Sequence, residues 1–172
     1  MRTNIGLKLV ITFVLVLIGC IASASVELQI HRANPKLSVD RVVELAGAIK
    51  LSCRTYKVPC DVFTAILIQE SMLRIDAVNH TTLDYSIGQL NIKTIKAYKF
   101  DKKRLLTDLQ YSTDAAAKVL SWFYIKHGHN SIWYCKYNVG TKSLVGNRLQ
   151  KCLMYVSRVS KYMPNHNLAK VE

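Results

Sequence analysis

Residues 61–73 read DVFTAILIQESML. From Val62 to Ile68 every residue except Thr64 is apolar, and the run then meets a glutamate, Glu70, followed by Ser71. Pro59 stands just before, and Asp61 is placed to cap a helix that begins there. Neither Gly nor Pro interrupts, and no alternation of apolar and polar residues suggests a half-exposed strand. On a helix, Ile66 and Leu67 lie one turn behind Glu70 on the same face. The stretch therefore predicts a buried helix that carries a carboxyl among apolar neighbours. Most glutamates near a helix end are simply solvated. One held among apolar groups has its charged form disfavoured, and the raised pKa suits a general acid near neutral pH. Taken alone, Glu70 fits the solvated case.

Helical periodicity continues on both sides. Ser38 is a plausible N-cap, after which Val39, Val42, Val43, Ala46, Ile49, Cys53 and Tyr56 form one amphipathic face. Residues 75–90 lose the period and read as a long loop, and Asn91 can cap a short helix, IKTIKAY. From Ser112 a helix with Ala116, Val119, Leu120 and Phe123 on one face runs to His127-Gly128. A short apolar segment, SIWYCKYN, stops at Val139-Gly140, and a last helix carries Leu149, Cys152, Leu153, Val156 and Met163 before Pro164. The fold class is all-α, preceded by an N-terminal signal helix.

The domain plan follows from composition. The chain has 172 residues, 50% hydrophobic and 20% charged, with 3 Pro and 7 Gly; that suits one folded domain and leaves little room for linkers. Residues 1–24 differ from the rest: Arg2 and Lys8 precede the apolar run Leu9–Ile18, and Ala22-Ser23-Ala24 offers a small-residue cleavage site. This is the pattern of a secretory signal peptide, and the run is shorter than a bilayer span. Leu17-Ile18-Gly19-Cys20 also resembles a lipoprotein box, making Cys20 a lipidation candidate that would anchor the domain to an outer membrane. The expected location is periplasmic or secreted. Residues 25–39, polar and containing Asn34-Pro35, read as an irregular lead-in; 40–163 form the domain and 164–172 a tail.

Cysteine and charge agree with export. Apart from Cys20 there are Cys53, Cys60, Cys135 and Cys152, an even set that suggests disulfides. The pairs Cys53–Cys60 and Cys135–Cys152 are expected because each brackets a turn between helices. No C-x-x-C spacing is present, so a metal is not expected. The net charge of +13 falls only to +11 without Arg2 and Lys8, which points to an anionic partner. The basic residues are spread along the chain instead of forming one helix face with interleaved aromatics, so nucleic acid is not expected.

Three further stretches bear on Glu70. Ser71 follows it, residues 84–91 read DYSIGQLN, and residues 137–140 read YNVG. In this order, within one small helical domain, they resemble the SLT-type lytic transglycosylases, the lysozyme-like fold that cleaves peptidoglycan (similar to glycoside hydrolase family 23). The resemblance spans roughly residues 40–162. It implies that Glu70 is the catalytic acid and base and that Ser71 is its partner lining the sugar site. The family's Gly-Leu-Met-Gln segment falls on Ser86-Ile87-Gly88-Gln89, with Gln89 on the glycan and Asn91 beside it. Tyr137 and Asn138 match the family's Tyr-Asn pair facing the glutamate. Ser86 stands where glycine is usual and Gly88 where methionine is usual.

The implied reaction cleaves the β-1,4 bond between N-acetylmuramic acid and N-acetylglucosamine and closes a 1,6-anhydro ring, with no metal or cofactor. Peptidoglycan strands are the implied partner, with a secretion or conjugation assembly as a further candidate. Two alternatives stay open. Asp76 or Asp84 could act as a second carboxylate in a hydrolytic muramidase like goose-type lysozyme, or the fold could serve as a non-catalytic wall-binding adaptor. Trp122, Phe123, Trp133 and Tyr134 read as core, and His127 and His129 as a surface turn.

Overall fold

The helix that carries Glu70 lies at the centre of the molecule. The computed structural model describes residues 26–163, so the leader with Cys20 and the tail at 164–172 lie outside the described residues. Helix α1 covers residues 26–33, α2 Val39–Tyr56, and α3 Cys60–Ser71. Val62 to Ile68 of α3 are buried without a break, so this helix is enclosed by its neighbours instead of facing water on one side. α2 packs on α3 and on α6 (Leu109–His127), and α8 (Asn147–Ser160) covers α3 from another direction.

Between α3 and α6 the chain makes three two-residue strands, β1 (Val78–Asn79), β2 (Asp84–Tyr85) and β3 (Leu90–Asn91), then α4 (Ile92–Tyr98) and α5 (Lys102–Thr107). The strands form an antiparallel sheet in the order β1-β2-β3, pairing Val78 with Tyr85 and Asp84 with Asn91. After α6, a 3-10 turn (Trp133–Cys135) leads into the short α7 (Lys136–Val139).

Most predicted elements stand where the periodicity puts them. The Ser38 side chain caps α2 by accepting from the Arg41 amide, and Asn91 caps α4 by accepting from the Lys93 amide. Several details differ. The stretch expected as an irregular lead-in is helical over 26–33, because Val26, Ile30 and Ala33 fall at helical spacing; Val26 and Ile30 are core residues. α6 begins at Leu109, three residues before Ser112, with Asp108 as its cap. Asp61 sits in the first turn of α3, where its charge suits the helix dipole, and Pro59 is the cap residue. On α2, Val39 and Val43 are exposed while Leu45 and Ala48 are buried, so the apolar stripe is rotated from the expected face. On α8, Leu149 and Leu153 likewise face outward.

Two disulfides pin this framework, Cys53–Cys60 joining α2 to α3 and Cys135–Cys152 joining the 3-10 turn to α8. Between α2 and α6, a polar cluster replaces apolar packing: Ser52 donates to Asp114 Oδ1 at 2.7 Å and Gln110 donates to the same oxygen at 2.9 Å. Each buried polar atom there has a partner, which keeps the cost of burying it small.

Candidate active site

A cleft of about 610 Å³ opens beside the end of α3. Glu70, Asp84, Gln89, Asn91, Tyr137 and Asn138 supply its polar lining. Trp122, Tyr98 and Val119 line it from the apolar side. Residues separated by more than sixty positions in the chain thus converge here, because α3, the small sheet, α6 and α7 meet at this point.

Among the described carboxyls, Glu70 is shifted furthest from its ordinary pKa. Its carboxyl pKa is raised from 4.5 to about 7, chiefly because burial strips water from the charged form; the charge of Asp84 pushes the same way. Two groups oppose the shift: the hydroxyl of Tyr155 and, more weakly, the cation of Arg158. Tyr155 donates to Glu70 Oε1 at 2.6 Å. The other oxygen, Oε2, makes no hydrogen bond among the described residues. In the neutral acid the oxygen that accepts from Tyr155 is the carbonyl one, so the proton sits on Oε2. Burial and the Glu70 charge hold the Tyr155 hydroxyl well above the usual tyrosine pKa. It therefore remains a donor throughout the neutral range.

Tyr155 is the Glu70 partner that sequence reasoning misses. It sits on α8 with 1% of its surface exposed, between Cys152 and Val159 on the buried face. By pattern it is one more core aromatic. The signal available is a single one: a tyrosine hydroxyl on a fully buried face must find a partner.

Tyr137 lies close enough that Glu70 and Asp84 both raise its pKa, after burial itself. Its hydroxyl, however, donates to the Gly88 carbonyl at 2.8 Å. Tyr137 thus clamps the Ser86–Gln89 turn, and the hydroxyl that meets Glu70 is that of Tyr155. The clamp depends on Gly88, because a Cβ there would lie 2.8 Å from the Tyr137 oxygen and 2.6 Å from Ala116 Cβ. A methionine, the usual residue by resemblance, does not fit this packing. Ser86 adopts φ +71°, a left-handed conformation that explains why glycine is usual there. Its hydroxyl donates to the Leu105 carbonyl, an interaction glycine lacks.

The remaining predicted residues divide by what their polar atoms are doing. Ser71 does not line the cleft. It is buried at 7% exposure, donates to the Ile87 carbonyl at 2.8 Å, and accepts from the Arg74 amide at 3.1 Å. The expected sugar contact is replaced by a tie between α3 and the Gln89 turn. Gln89 donates its amide to the Ala77 and Ser86 carbonyls at 3.2 and 2.9 Å, which leaves its oxygen as an acceptor toward the cleft. Asn91 gives both amide hydrogens away, to the Thr82 carbonyl and to Asp84 Oδ1, each at 2.8 Å, and caps α4 with its oxygen. It shapes the wall with no polar atom to spare. Asn138 is exposed and makes no side-chain hydrogen bond among the described residues.

Of the two loop acids, Asp84 reaches the cleft and Asp76 does not. Asp84 accepts from Asn91 and from the Thr82 hydroxyl. Trp122, expected in the core, stands at the cleft with 40% of its surface exposed. Phe123, Trp133 and Tyr134 are buried as expected.

A buried carboxyl in a polar cleft with an aromatic wall, on a small disulfide-bonded helical frame, fits a glycan-cleaving domain of the lysozyme-like class. The model of the transglycosylase SLT domain matches residues 48–151. The chain belongs to that family, and it is a transglycosylase domain directed at peptidoglycan. Neither the comparison with curated proteins nor that with solved structures returns a match.

Proposed function

We propose that the protein is an exported lytic transglycosylase that cleaves the bond between N-acetylmuramic acid and N-acetylglucosamine with Glu70 as its only acid and base. The observation that carries this reading is the placement of Glu70, on the cleft wall with burial raising its carboxyl pKa to about 7 and only Oε1 hydrogen-bonded among the described residues. A strand in the cleft would receive the Oε2 proton on its bridging oxygen as the C1–O bond breaks. The sugar's own 2-acetamido group would carry the positive charge that develops at C1. Ionised Glu70 would then take the proton from the C6 hydroxyl of the same muramic acid, whose oxygen closes onto C1. The proton returns to Glu70, the 1,6-anhydro ring forms, and no water is consumed.

The neighbours fit this division of work. Tyr155 would hold Oε1 through both steps, as a donor to the acid's carbonyl and then to the carboxylate, where charge strengthens the bond. Gln89 would accept from a sugar N–H or O–H, and Asn138 would offer both donor and acceptor. Export is supported by the leader-like residues 1–24 and by the two disulfides, which form in an oxidising compartment.

A hydrolytic muramidase is the second reading, favoured by the presence of Asp84 in the same cleft. Against it, both Asp84 oxygens already accept hydrogen bonds from the protein, which suits a fixed charge better than a nucleophile. Mass spectrometry of products from purified sacculi separates the two. Anhydromuropeptides that disappear with Glu70→Gln are the expected result. Reducing ends alone would transfer the assignment to the muramidase, and no soluble product at all would leave a wall-binding adaptor.

A further inference from the structure

The cleft has a neighbour on the far side of Asn138. A second cavity, of about 370 Å³, is lined by Asn138, Val139, Asn147, Arg148 and Lys151. Asn138 lines both spaces, so the cavity lies beside the part of the cleft where a ligand would meet Asn138. Their electrostatics are opposite. The cleft holds the carboxyls of Glu70 and Asp84, whereas the second cavity holds two cationic side chains and no acid.

Those two cations differ from many others in the molecule. Arg41 and Arg104 are ion-paired, and Lys102, Lys118 and Lys126 sit over aromatic rings. Arg148 and Lys151 have no acidic partner among the described residues. Being three positions apart on α8, they share a face. Arg148 Nη1 donates to the Val139 carbonyl at 2.9 Å, which orients the guanidinium and leaves its other N–H groups for a ligand. Lys151 is exposed and makes no hydrogen bond among the described residues.

We propose that this cavity is a carboxylate-binding subsite that takes the acidic stem peptide of the glycan strand lying in the cleft. The proposal rests on the peptidoglycan reading above. The lactyl group of each muramic acid carries a peptide with free carboxylates, which leaves the strand sideways while the sugars stay in the groove. A strand contacting Asn138 would deliver such a carboxylate to Arg148 and Lys151. The subsite would make the enzyme select peptide-bearing strands over bare glycan.

The test compares two substrates, intact sacculi and glycan strands stripped of peptide by an amidase, at low and high salt. At low salt the wild-type protein is expected to favour peptide-bearing strands by about fivefold in kcat/KM, a preference of the size that rim charges supply. It should fade near 1 M salt, where charges are screened within about 3 Å. Lys151→Glu should abolish the preference while changing kcat/KM on stripped strands less than about twofold, and Lys151→Gln should reduce it part of the way. Lys151 is exposed, so neither change threatens the fold. Equal losses on both substrates, or a preference that survives Lys151→Glu, would overturn the subsite. Wild-type protein that cuts stripped strands without any preference would do the same while leaving the transglycosylase reading intact. Wild-type protein that cuts neither substrate would overturn both.

Discussion

Replacing Tyr155 with phenylalanine removes one oxygen and leaves the buried ring in place, so it isolates the hydrogen bond to Glu70. That bond, 2.6 Å long and made to a group that the proposed reaction would leave charged after its first step, favours the carboxylate. Hydrogen bonds to charged groups contribute about 1.5–3 kcal/mol. At about 1.36 kcal/mol per pH unit, its loss should raise the Glu70 pKa from about 7 by about 1–2 further units. The alkaline limb of the activity–pH profile, which reports the acid form, should move up by that amount. The rate at its optimum should fall at least tenfold, because a carboxyl free to rotate is a poorly placed acid. Initial rates of anhydromuropeptide release between pH 5 and 10, for wild type and Tyr155→Phe, provide the assay. An alkaline limb that stays in place, or moves down, would refute the assignment of Tyr155 as the group that holds and tunes Glu70. A lower rate with an unmoved profile would instead mark Tyr155 as a packing residue.

Other outcomes follow from the same geometry. Glu70 loses its proton near pH 4.5 when unfolded and near 7 when folded, so the native state binds more protons in between and stability should fall as pH rises through that window; Glu70→Gln should be inactive yet more stable above pH 7, by up to roughly 3 kcal/mol in urea melts. Ser71→Ala should cost about 1–3 kcal/mol of stability, since it strands the Ile87 carbonyl, and its activity loss should track unfolding instead of KM. Trp122→Ala should raise KM several-fold with kcat nearly unchanged if the ring stacks on a pyranose, a contact contributing about 1 kcal/mol, as measured by steady-state kinetics on sacculi. Gly88→Ala should lower both the melting temperature and kcat, because its Cβ would meet the Tyr137 hydroxyl and Ala116.

Much of this fold is legible in the sequence because its helices announce themselves by period and cap. Ser38 and Asn91 cap as their residue types require, and the disulfide pairs follow from the turns they bracket. The differences have two causes. At 26–33 an otherwise polar segment carries Val26 and Ile30 into the core at helical spacing. On α2 and α8 the apolar stripe is broader than the buried one, and only tertiary packing decides which edge faces water. The site divides in a similar way. Side chains that meet the cleft, such as Glu70, Gln89, Tyr137 and Asn138, stand in short motifs. Whether a motif residue touches ligand or backbone is not encoded in its identity. Ser71 and Asn91 spend their polar atoms on the protein, and Trp122 faces the cleft from a helix whose pattern reads as core.

Tyr155 shows why the last helix belongs to the active site. The family match ends at residue 151, one position before Cys152 and four before the tyrosine that holds the acid. Yet Cys152 is bonded to Cys135, which stands two residues before Tyr137. That bond joins the segment that clamps the Gln89 turn to the helix that orients Glu70. The two hydroxyls serve different halves of the cleft, but a shift of α8 relative to α7 would disturb both at once. Burial raises the acid's pKa, and the tyrosine opposes that shift enough to keep it near neutrality. In the proposed reaction Glu70 would give a proton and then take one back, which works best when neither form is strongly favoured. On this view the apolar run from Val62 to Ile68 and the hydroxyl on α8 act together. The first makes Glu70 a usable acid, and the second keeps it a usable base.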